Sequence, residues 1–346
     1  PSPYVRGCLL RPGAARHPVE RPAAQHAALL RASPLATQLQ KRQRFWVNIH
    51  NSVFSQGGPS EKQLLWGVGQ VLSRATNFPS GPGLTFVPFF DLLNHDPNPN
   101  CIQYYDENNH TFQVRTIKNV EQGEELTIDY GAKDAYSFLR TYGFAVLPPR
   151  GPKTYLNIPF RLEPNLEISH RIDTQSLGQR QALVSQLFPA AKDARSVLGD
   201  KTTVPIPLGE PSNDGDARSI LTALVQQIFV HEMSDSNFAK LLKLLERKGL
   251  HSNNERLHIP DQWVNDAFTE LQQDLDAMAA HAKCTAMLKM ALRHRLKEYQ
   301  TCTEENGSTD VLAENDVLVE QQWINQCVKL RILEKKTLEA YANMFS

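Results

Sequence analysis

The chain has 346 residues, of which 41% are hydrophobic and 21% are charged, as in a globular protein that can bury a sizeable core. Its 37 basic and 37 acidic residues cancel to a formal net charge of zero, which argues against a dedicated binder of nucleic acid or of acidic membranes. No apolar run approaches the roughly 20 residues of a membrane-spanning helix, and five scattered cysteines predict an intracellular, soluble protein with reduced thiols.

Residues 1–30 are the least regular part of the sequence. They are rich in Pro, Ala and Arg, contain Glu20 as their single acidic residue and show no periodicity. This composition indicates a low-complexity leader, a transit-like segment or the start of an incomplete chain. We expect the protein in the cytoplasm or the nucleus, and the composition of residues 1–30 leaves a plastid address as the alternative.

The next segment is predicted to be helical. Apolar residues recur at helical spacing in residues 35–55 and in residues 61–74, and Ser60 is a suitable N-cap for the second helix. The breaker-rich sequence "NFPSGPG" then ends the helical region.

Short strands and tight turns follow. Alternating or apolar runs predict four strands, at Leu84 to Phe90, Cys101 to Tyr105, Thr111 to Ile117 and Leu126 to Tyr130. Asp134 can cap a short helix that Gly143 can end. Beyond a Pro-rich hinge at 146–152, helical patterns dominate, at 216–231, 234–249, 255–302 and 310–343. Two domains are therefore predicted, a small α+β region followed by an all-helical one.

The residues that could carry chemistry have ordinary interpretations when each is taken alone. Asn94 and His95 follow the apolar run "VPFFDLL" and could simply cap a turn, and Tyr130 could be a half-buried aromatic. The set of His95, Asp96, Cys101 and His110 could be imagined as zinc ligands, but their spacing fits no common ligand pair, so no metal site is predicted. The sequence also lacks a dinucleotide-binding GxGxxG, a P-loop and a GxSxG nucleophile motif.

The order of these motifs is more specific than any one of them. The chain presents "VPFFDLL" with Asn94-His95, a hairpin, "GEELTIDYG" and then "YGF". This series resembles the SET-domain protein methyltransferases, and especially the branch typified by the RuBisCO large-subunit lysine methyltransferase, which also includes an actin-histidine methyltransferase. The resemblance implies an α+β fold, with a SET-type β fold of short strands, a helical insert and an all-helical C-terminal domain.

The resemblance also implies boundaries within this chain. Residues 31–160 would be a partial SET domain, with the helical insert at 31–75 and the C-terminal half of SET at 76–145. Residues 165–346 would be a helical substrate-binding domain. The family's opening GxG-type segment has no counterpart, so the chain resembles a SET protein without the N-terminal part of that domain, either as a fragment or as a natural short form.

S-adenosylmethionine is the cofactor that the resemblance implies. Asn94 and His95 match the family's pair that contacts this cofactor. Arg74 matches an arginine that helps to hold the cofactor's carboxylate, and Phe144 matches an aromatic that packs on the adenine. Tyr130 matches the catalytic tyrosine, which also lies at the cofactor.

The target side chain would enter a channel lined by Thr76, Phe90 and Tyr142, by the same resemblance. Methyl transfer is an in-line displacement that demands alignment and a neutral amine. A lysine has a pKa near 10.4, so an apolar aromatic channel helps by disfavouring its charged form. Phe90 favours lysine over histidine as the target.

Two hypotheses follow from these observations. The first is a methyltransferase that acts on a lysine of a non-histone protein, which docks on the helical domain of a monomeric enzyme. The second is a non-catalytic interaction module with a vestigial, truncated SET domain. No nucleic acid or membrane partner is expected under either hypothesis.

Overall fold

The computed structural model describes residues 17–21, 23–78, 83–147, 154–159, 174–187, 203–209, 214–247, 261–304 and 314–344. The first sixteen residues of the predicted leader and most of the predicted hinge at 146–152 lie outside the described residues. The chain folds into two compact units, Pro1–Thr154 with Cys302–Leu333 and Tyr155–Thr301 with Glu334–Ser346. The first unit carries all the residues that the sequence singled out for chemistry.

Three helices open the first unit: α1 (Ala23–Leu29), α2 (Pro34–Val53) and α3 (Glu61–Arg74). The Ser60 side chain accepts a hydrogen bond from the backbone of Gln63, whose own side chain binds the Ser60 backbone in return. This capping box satisfies two amide groups that the first turn leaves without partners, so α3 starts where its cap predicts. Both helices predicted in this region are confirmed.

Residues 17–30, which we expected to belong to an irregular leader, are folded where the structure describes them. A 3₁₀ turn (Pro18–Glu20) buries Val19 against Leu65 and Val68 of α3. Nε2 of His17 lies 2.7 Å from the backbone oxygen of Thr141, and its Nδ1 accepts a hydrogen bond from the Val19 backbone. This segment therefore ties α3 to the later part of the same unit.

Six short strands of the first unit form three two-stranded sheets. The antiparallel pairs join β1 (Thr76–Phe78) to β2 (Gly83–Thr85) and β4 (Cys101–Asp106) to β5 (Thr111–Thr116). The third pair is parallel and joins β3 (Asn94–His95) to β6 (Thr127–Ile128). The predicted hairpin is confirmed, and so is the strand that precedes Tyr130, although it is shorter than expected.

The prediction of one strand from Leu84 to Phe90 is wrong. The strand ends at Thr85, Phe89 has a φ of 70°, and residues Phe90–Leu92 form a 3₁₀ turn. Pro88 cannot donate to a strand ladder, and Phe90 gains more by packing on Phe112, with ring centroids 4.6 Å apart. The apolar character of this run therefore reflects a buried turn.

A small core joins this turn to the sheets. Phe90, Cys101 and Ile128 are buried together, with Leu93 and Tyr130 packed against them. These contacts place the 3₁₀ turn directly beside β4 and β6.

Helix α4 (Ala135–Tyr142) follows β6 and begins and ends as its sequence predicts. The side chain of its N-cap, Asp134, accepts a hydrogen bond from the Ser137 amide. Its C-cap, Gly143, is left-handed with a φ of 85°, a conformation that glycine adopts without steric cost.

The second unit is mainly helical. Its helices are α5 (Thr174–Leu187), α6 (Asp214–Glu232), α7 (Asp235–Arg247), α8 (Asp261–Leu271) and α9 (Leu275–Glu304), and α10 (Glu314–Asn343) contributes its last part. The single helix expected from 255 to 302 is two helices, interrupted at 272–274. Among the described residues, no helix combines the length and the apolar character that crossing a bilayer requires.

This unit also contains a two-stranded sheet that the all-helical prediction did not include. Strands β7 (Tyr155–Pro159) and β8 (Thr203–Pro207) pair antiparallel. Both strands carry prolines, which argue against a strand when a sequence is read locally. The two strands are far apart in the sequence, and their pairing is accompanied by burial of Leu156, Ile158 and Ile206. This long-range packing outweighs the local preference.

Candidate functional site

One cavity of about 440 Å³ lies in the first unit, where α3, the 3₁₀ turn at Phe90–Leu92, β6 and α4 meet. Its lining combines apolar, aromatic, polar and charged residues, which include Arg74, Thr76, Leu84, Phe90, Asp91, Leu93, Gln103, Ile128, Asp129, Tyr130, Lys133 and Tyr142. We call this space the site cavity. Of the eight predicted site residues it brings together five, which are Arg74, Thr76, Phe90, Tyr130 and Tyr142.

Tyr130 is fixed at both ends. Its hydroxyl donates a 2.7 Å hydrogen bond to the backbone oxygen of Leu93, and its own amide donates to Nδ1 of His95 at 3.2 Å. Burial raises the pKa of the Tyr130 hydroxyl, the cation of Arg74 partly offsets this, and the carboxylates of Asp91 and Glu125 add to the rise. The phenol is therefore neutral near pH 7, with oxygen lone pairs that can accept a bond from an amine.

Tyr142 provides a second aromatic wall. Its ring centroid lies 4.7 Å from that of Tyr130. Burial raises its pKa to about 12, with a further contribution from Tyr130, so it too is a neutral phenol at physiological pH. Two adjacent neutral phenols on an apolar wall disfavour a charged amine between them by desolvation.

His95 and Asn94 do not line the site cavity but support it from the side of β3. The His95 side chain is only 5% exposed, and its ring packs on Phe138 and Tyr130 at 4.8 and 5.3 Å. The Asn94 amide donates a 2.5 Å hydrogen bond to Glu125 and remains exposed. The parallel β3–β6 pair explains this arrangement, because it sets His95 beside Ile128.

Phe144 lies on the same aromatic cluster and also outside the cavity lining. Its ring stacks on His95 with centroids 6.1 Å apart, and it approaches Phe138 at 5.5 Å. The left-handed cap at Gly143 turns the chain back here, which brings Phe144 towards the rings of α4. The adenine-packing role of Phe144 and the cofactor roles of Asn94 and His95 stay predictions.

Arg74 reaches the cavity from the end of α3. Its Nη1 lies 3.3 Å from both the backbone oxygen and a carboxylate oxygen of Asp91. The Asp91 side chain is 0% exposed and that of Arg74 is 17% exposed. The buried carboxylate holds the guanidinium in place, because separating a buried pair of charges leaves one of them uncompensated.

Thr76 and Phe90 bound the cavity between Arg74 and the small core. Thr76 is the first residue of β1 and is half-buried. Phe90 is 7% exposed and presents an apolar wall. The predicted channel residues Thr76, Phe90 and Tyr142 therefore share one space with Tyr130.

Asp91, Gln103 and Lys133 are among the cavity residues that the sequence analysis did not single out. Asp91 stands inside the apolar run "PFFDLL", and a lone acid in such a run signals a buried charge that needs a partner. Gln103 is on β4 and Lys133 follows Tyr130 by three residues, and neither has a local pattern that marks it. Only the packing of α4 and β4 around Tyr130 brings these two side chains to the cavity.

A further polar residue organises the loop before Tyr130. Buried Asn100 accepts a 2.8 Å hydrogen bond from the Thr127 amide and donates to the backbone oxygen of Glu125 at 2.9 Å. Its amide nitrogen also reaches a carboxylate oxygen of Glu124 at 3.3 Å. These bonds set the position of β6, and through it the position of Tyr130.

The profile of the SET domain family matches residues 20–131 of this chain. A 58-residue segment is 35% identical to SET domain-containing protein 4 of Homo sapiens, which is 17% of this chain and 13% of the human protein. The protein of the same name from Artemia parthenogenetica is 29% identical over 86 residues, 25% of this chain and 21% of that protein. These matches span about a fifth or less of the curated relatives.

Solved structures share the fold over nearly the whole chain. The crystal structure of the SET domain of LSMT bound to lysine and AdoHcy superposes with a TM-score of 0.53 at 14% identity, covering 96% of this chain and 67% of the other. The structure of Rubisco LSMT bound to AdoMet gives a TM-score of 0.50 at 13% identity, with the same coverage. Residues 20–131 of this chain therefore match the SET domain, and the chain shares the mixed α+β fold of the Rubisco LSMT structures.

Proposed function

We propose that this chain is an S-adenosylmethionine-dependent protein methyltransferase that acts on the side-chain nitrogen of a lysine, with histidine as the less favoured target. The observation that carries the proposal is the site cavity, where two neutral phenols, an apolar wall and one arginine converge. Solved structures of the same fold are bound to AdoHcy and lysine or to AdoMet. They support the choice of cofactor and acceptor for this cavity.

The residues present fit such a cofactor. The cavity of about 440 Å³ lies within the range of roughly 300–1,000 Å³ that is typical of sites for small ligands. Arg74 lines it and keeps a partly exposed guanidinium, which can bind a carboxylate with paired donors. When bound, S-adenosylmethionine supplies an activated methyl group on a sulfonium.

The protein's own residues then act by orientation. Deprotonating a lysine at pH 7, when its usual pKa is near 10.4, costs about 4–5 kcal/mol. The aromatic walls of Tyr130 and Tyr142 supply part of this free energy, because they desolvate the charged amine. The Tyr130 oxygen is held by its bond to Leu93 and can accept a hydrogen bond from the amine. A fixed acceptor reduces the entropy that alignment for in-line transfer costs.

Lysine is favoured over histidine by the shape and polarity of the walls. Phe90 and Tyr142 form apolar faces suited to an alkyl chain. Thr76 is the one hydroxyl-bearing side chain among the predicted channel residues besides the tyrosine. The protein that carries the lysine would be a folded, non-histone substrate docked on the helical unit of a monomeric enzyme.

Calorimetric titration of S-adenosylmethionine into this chain is the direct test, with Arg74→Ala as the matched variant. We expect micromolar binding that weakens at least tenfold in the variant, because the carboxylate loses its charged partner. Asn98→Ala, at an exposed turn outside the cavity, is the control for mutagenesis itself. No binding by the folded chain would overturn the proposal and favour the non-catalytic interaction module instead.

A further inference from the structure

Lys133 places a primary amine of the chain itself at the site cavity. Its Nζ contacts the backbone oxygen of Tyr130 and lies 5.6 Å from the centroid of the Tyr142 ring. A Cβ built on Gly131 would be 3.5 Å from the same Nζ. The side chain therefore folds back over the Tyr130–Gly131 peptide and lines the cavity instead of extending into solvent.

The surroundings of this amine favour its neutral form. Burial lowers the pKa of Lys133, and the carboxylate of Asp129 only partly opposes that change. A lower pKa raises the fraction of amine that carries a lone pair at pH 7, and only that fraction is nucleophilic. The burial of Lys133 at the cavity therefore shifts its amine towards the form that a methyl acceptor needs.

A hydrogen bond to a backbone oxygen does not by itself bring a lysine amine to the site cavity. Lys118 also donates to a backbone oxygen, that of Asn98 at 2.9 Å. It is exposed, however, and does not line the site cavity. Lys118 is therefore a matched control, with the same kind of hydrogen bond but without the aromatic walls.

We propose that Lys133 is an internal methyl acceptor, which the chain methylates in its own site cavity when no protein target fills it. The lone pair of Nζ attacks the methyl carbon of S-adenosylmethionine, the new C–N bond forms as the C–S bond breaks, and the bonding electron pair leaves with sulfur as S-adenosylhomocysteine. The nitrogen then releases one proton to solvent. The inference rests on the proposed function, since the same cofactor and cavity serve both.

The tether makes this reaction competitive with transfer to a separate protein. An amine held beside its reaction partner in one molecule behaves as if it were present at very high concentration. A methylated Lys133 would still carry its charge when protonated but would be bulkier beside Tyr142. Incoming target lysines must therefore displace Lys133 from the ring of Tyr142, and we expect them to slow its modification.

Mass spectrometry of the full chain after incubation with S-adenosylmethionine tests the inference, with peptide mapping to locate the methyl group. We expect methylation of the peptide that contains Lys133, its loss in Lys133→Arg, and its persistence in Lys118→Arg. The first-order rate constant should not change with protein concentration, because acceptor and cavity belong to one molecule. Circular dichroism melting checks that both variants are folded.

The outcomes separate this inference from the proposed function. If calorimetry shows cofactor binding but Lys133 remains unmodified, the inference is overturned and the proposed function stands. A rate constant that rises in proportion to protein concentration overturns methylation within one molecule. Absence of cofactor binding overturns the inference and the proposed function together.

Discussion

Replacing Tyr130 with Phe removes a single oxygen and keeps the ring. That oxygen donates a 2.7 Å hydrogen bond to the backbone of Leu93, and the ring packs on Tyr142 with centroids 4.7 Å apart. The substitution thus preserves the packing of the small core while deleting the group proposed to orient the acceptor amine. Its effects on stability and on methyl transfer should differ.

The size of each effect follows from what is lost. One hydrogen bond at a half-buried site contributes about 1 kcal/mol to the free energy of unfolding, so the variant should remain folded. A positioned group that acts in the transition state is worth about 2.7–4 kcal/mol, or roughly 10²–10³ in rate. We therefore expect Tyr130→Phe to lose most of the transfer rate and little of the stability.

The assay pairs urea denaturation with the initial rate of methyl transfer from labelled S-adenosylmethionine to protein acceptors. Tyr104→Phe is the matched control, because the Tyr104 hydroxyl also makes one hydrogen bond, to Gln113, but lies on an exposed part of β4. Equal transfer rates for the two variants would refute the role of Tyr130. A Tyr130→Phe variant that unfolds would refute the estimate of its stability.

Three further predictions concern stability. Asn100→Ala should lower the free energy of unfolding by about 2–3 kcal/mol in urea denaturation, because it leaves the Thr127 amide without its acceptor. Asn98→Ala, at an exposed position, should change this free energy little. Equal losses in the two variants would contradict the structural role of Asn100. Gly69→Ala should cost about 1–3 kcal/mol in the same experiment, since its Cβ would lie 2.7 Å from that of His17, and an unchanged midpoint would disprove this close approach. Burial lowers the pKa of His17 from 6.5 to about 4. Between these two pH values the unfolded chain binds more protons than the folded one, so the free energy of unfolding should fall by roughly 3 kcal/mol as the pH drops from 6.5 to about 4. His17→Gln should flatten this pH dependence, and an equal slope in the variant would assign it to another group.

Local signals predicted the elements that local interactions form. Ser60, Asp134 and Gly143 are caps whose side chain or conformational freedom acts within one helical turn, and the helices begin and end beside them. The hairpin β4–β5 was predictable for the same reason, because its strands are joined by a short polar turn. These features need no information from distant residues.

Predictions failed where a distant contact outweighed a local preference. The run from Leu84 to Phe90 bends into a turn because Phe90 packs on Phe112. Strand β8 forms despite its prolines because it pairs with β7, which lies far away in the sequence. Residues 17–21 fold because Val19 and His17 reach α3 and Thr141.

The sequence by itself determined the family resemblance and the set of candidate residues, because the ordered motifs around Asn94-His95 and Tyr130 are carried by consecutive residues. Tertiary structure alone decided which of them share a cavity. The Arg74–Asp91 pair, the support of Tyr130 by His95 and the return of Lys133 over the Tyr130 peptide all join groups through space. Such contacts depend on packing, since burial and distance set both the pKa of a side chain and the partners it can reach.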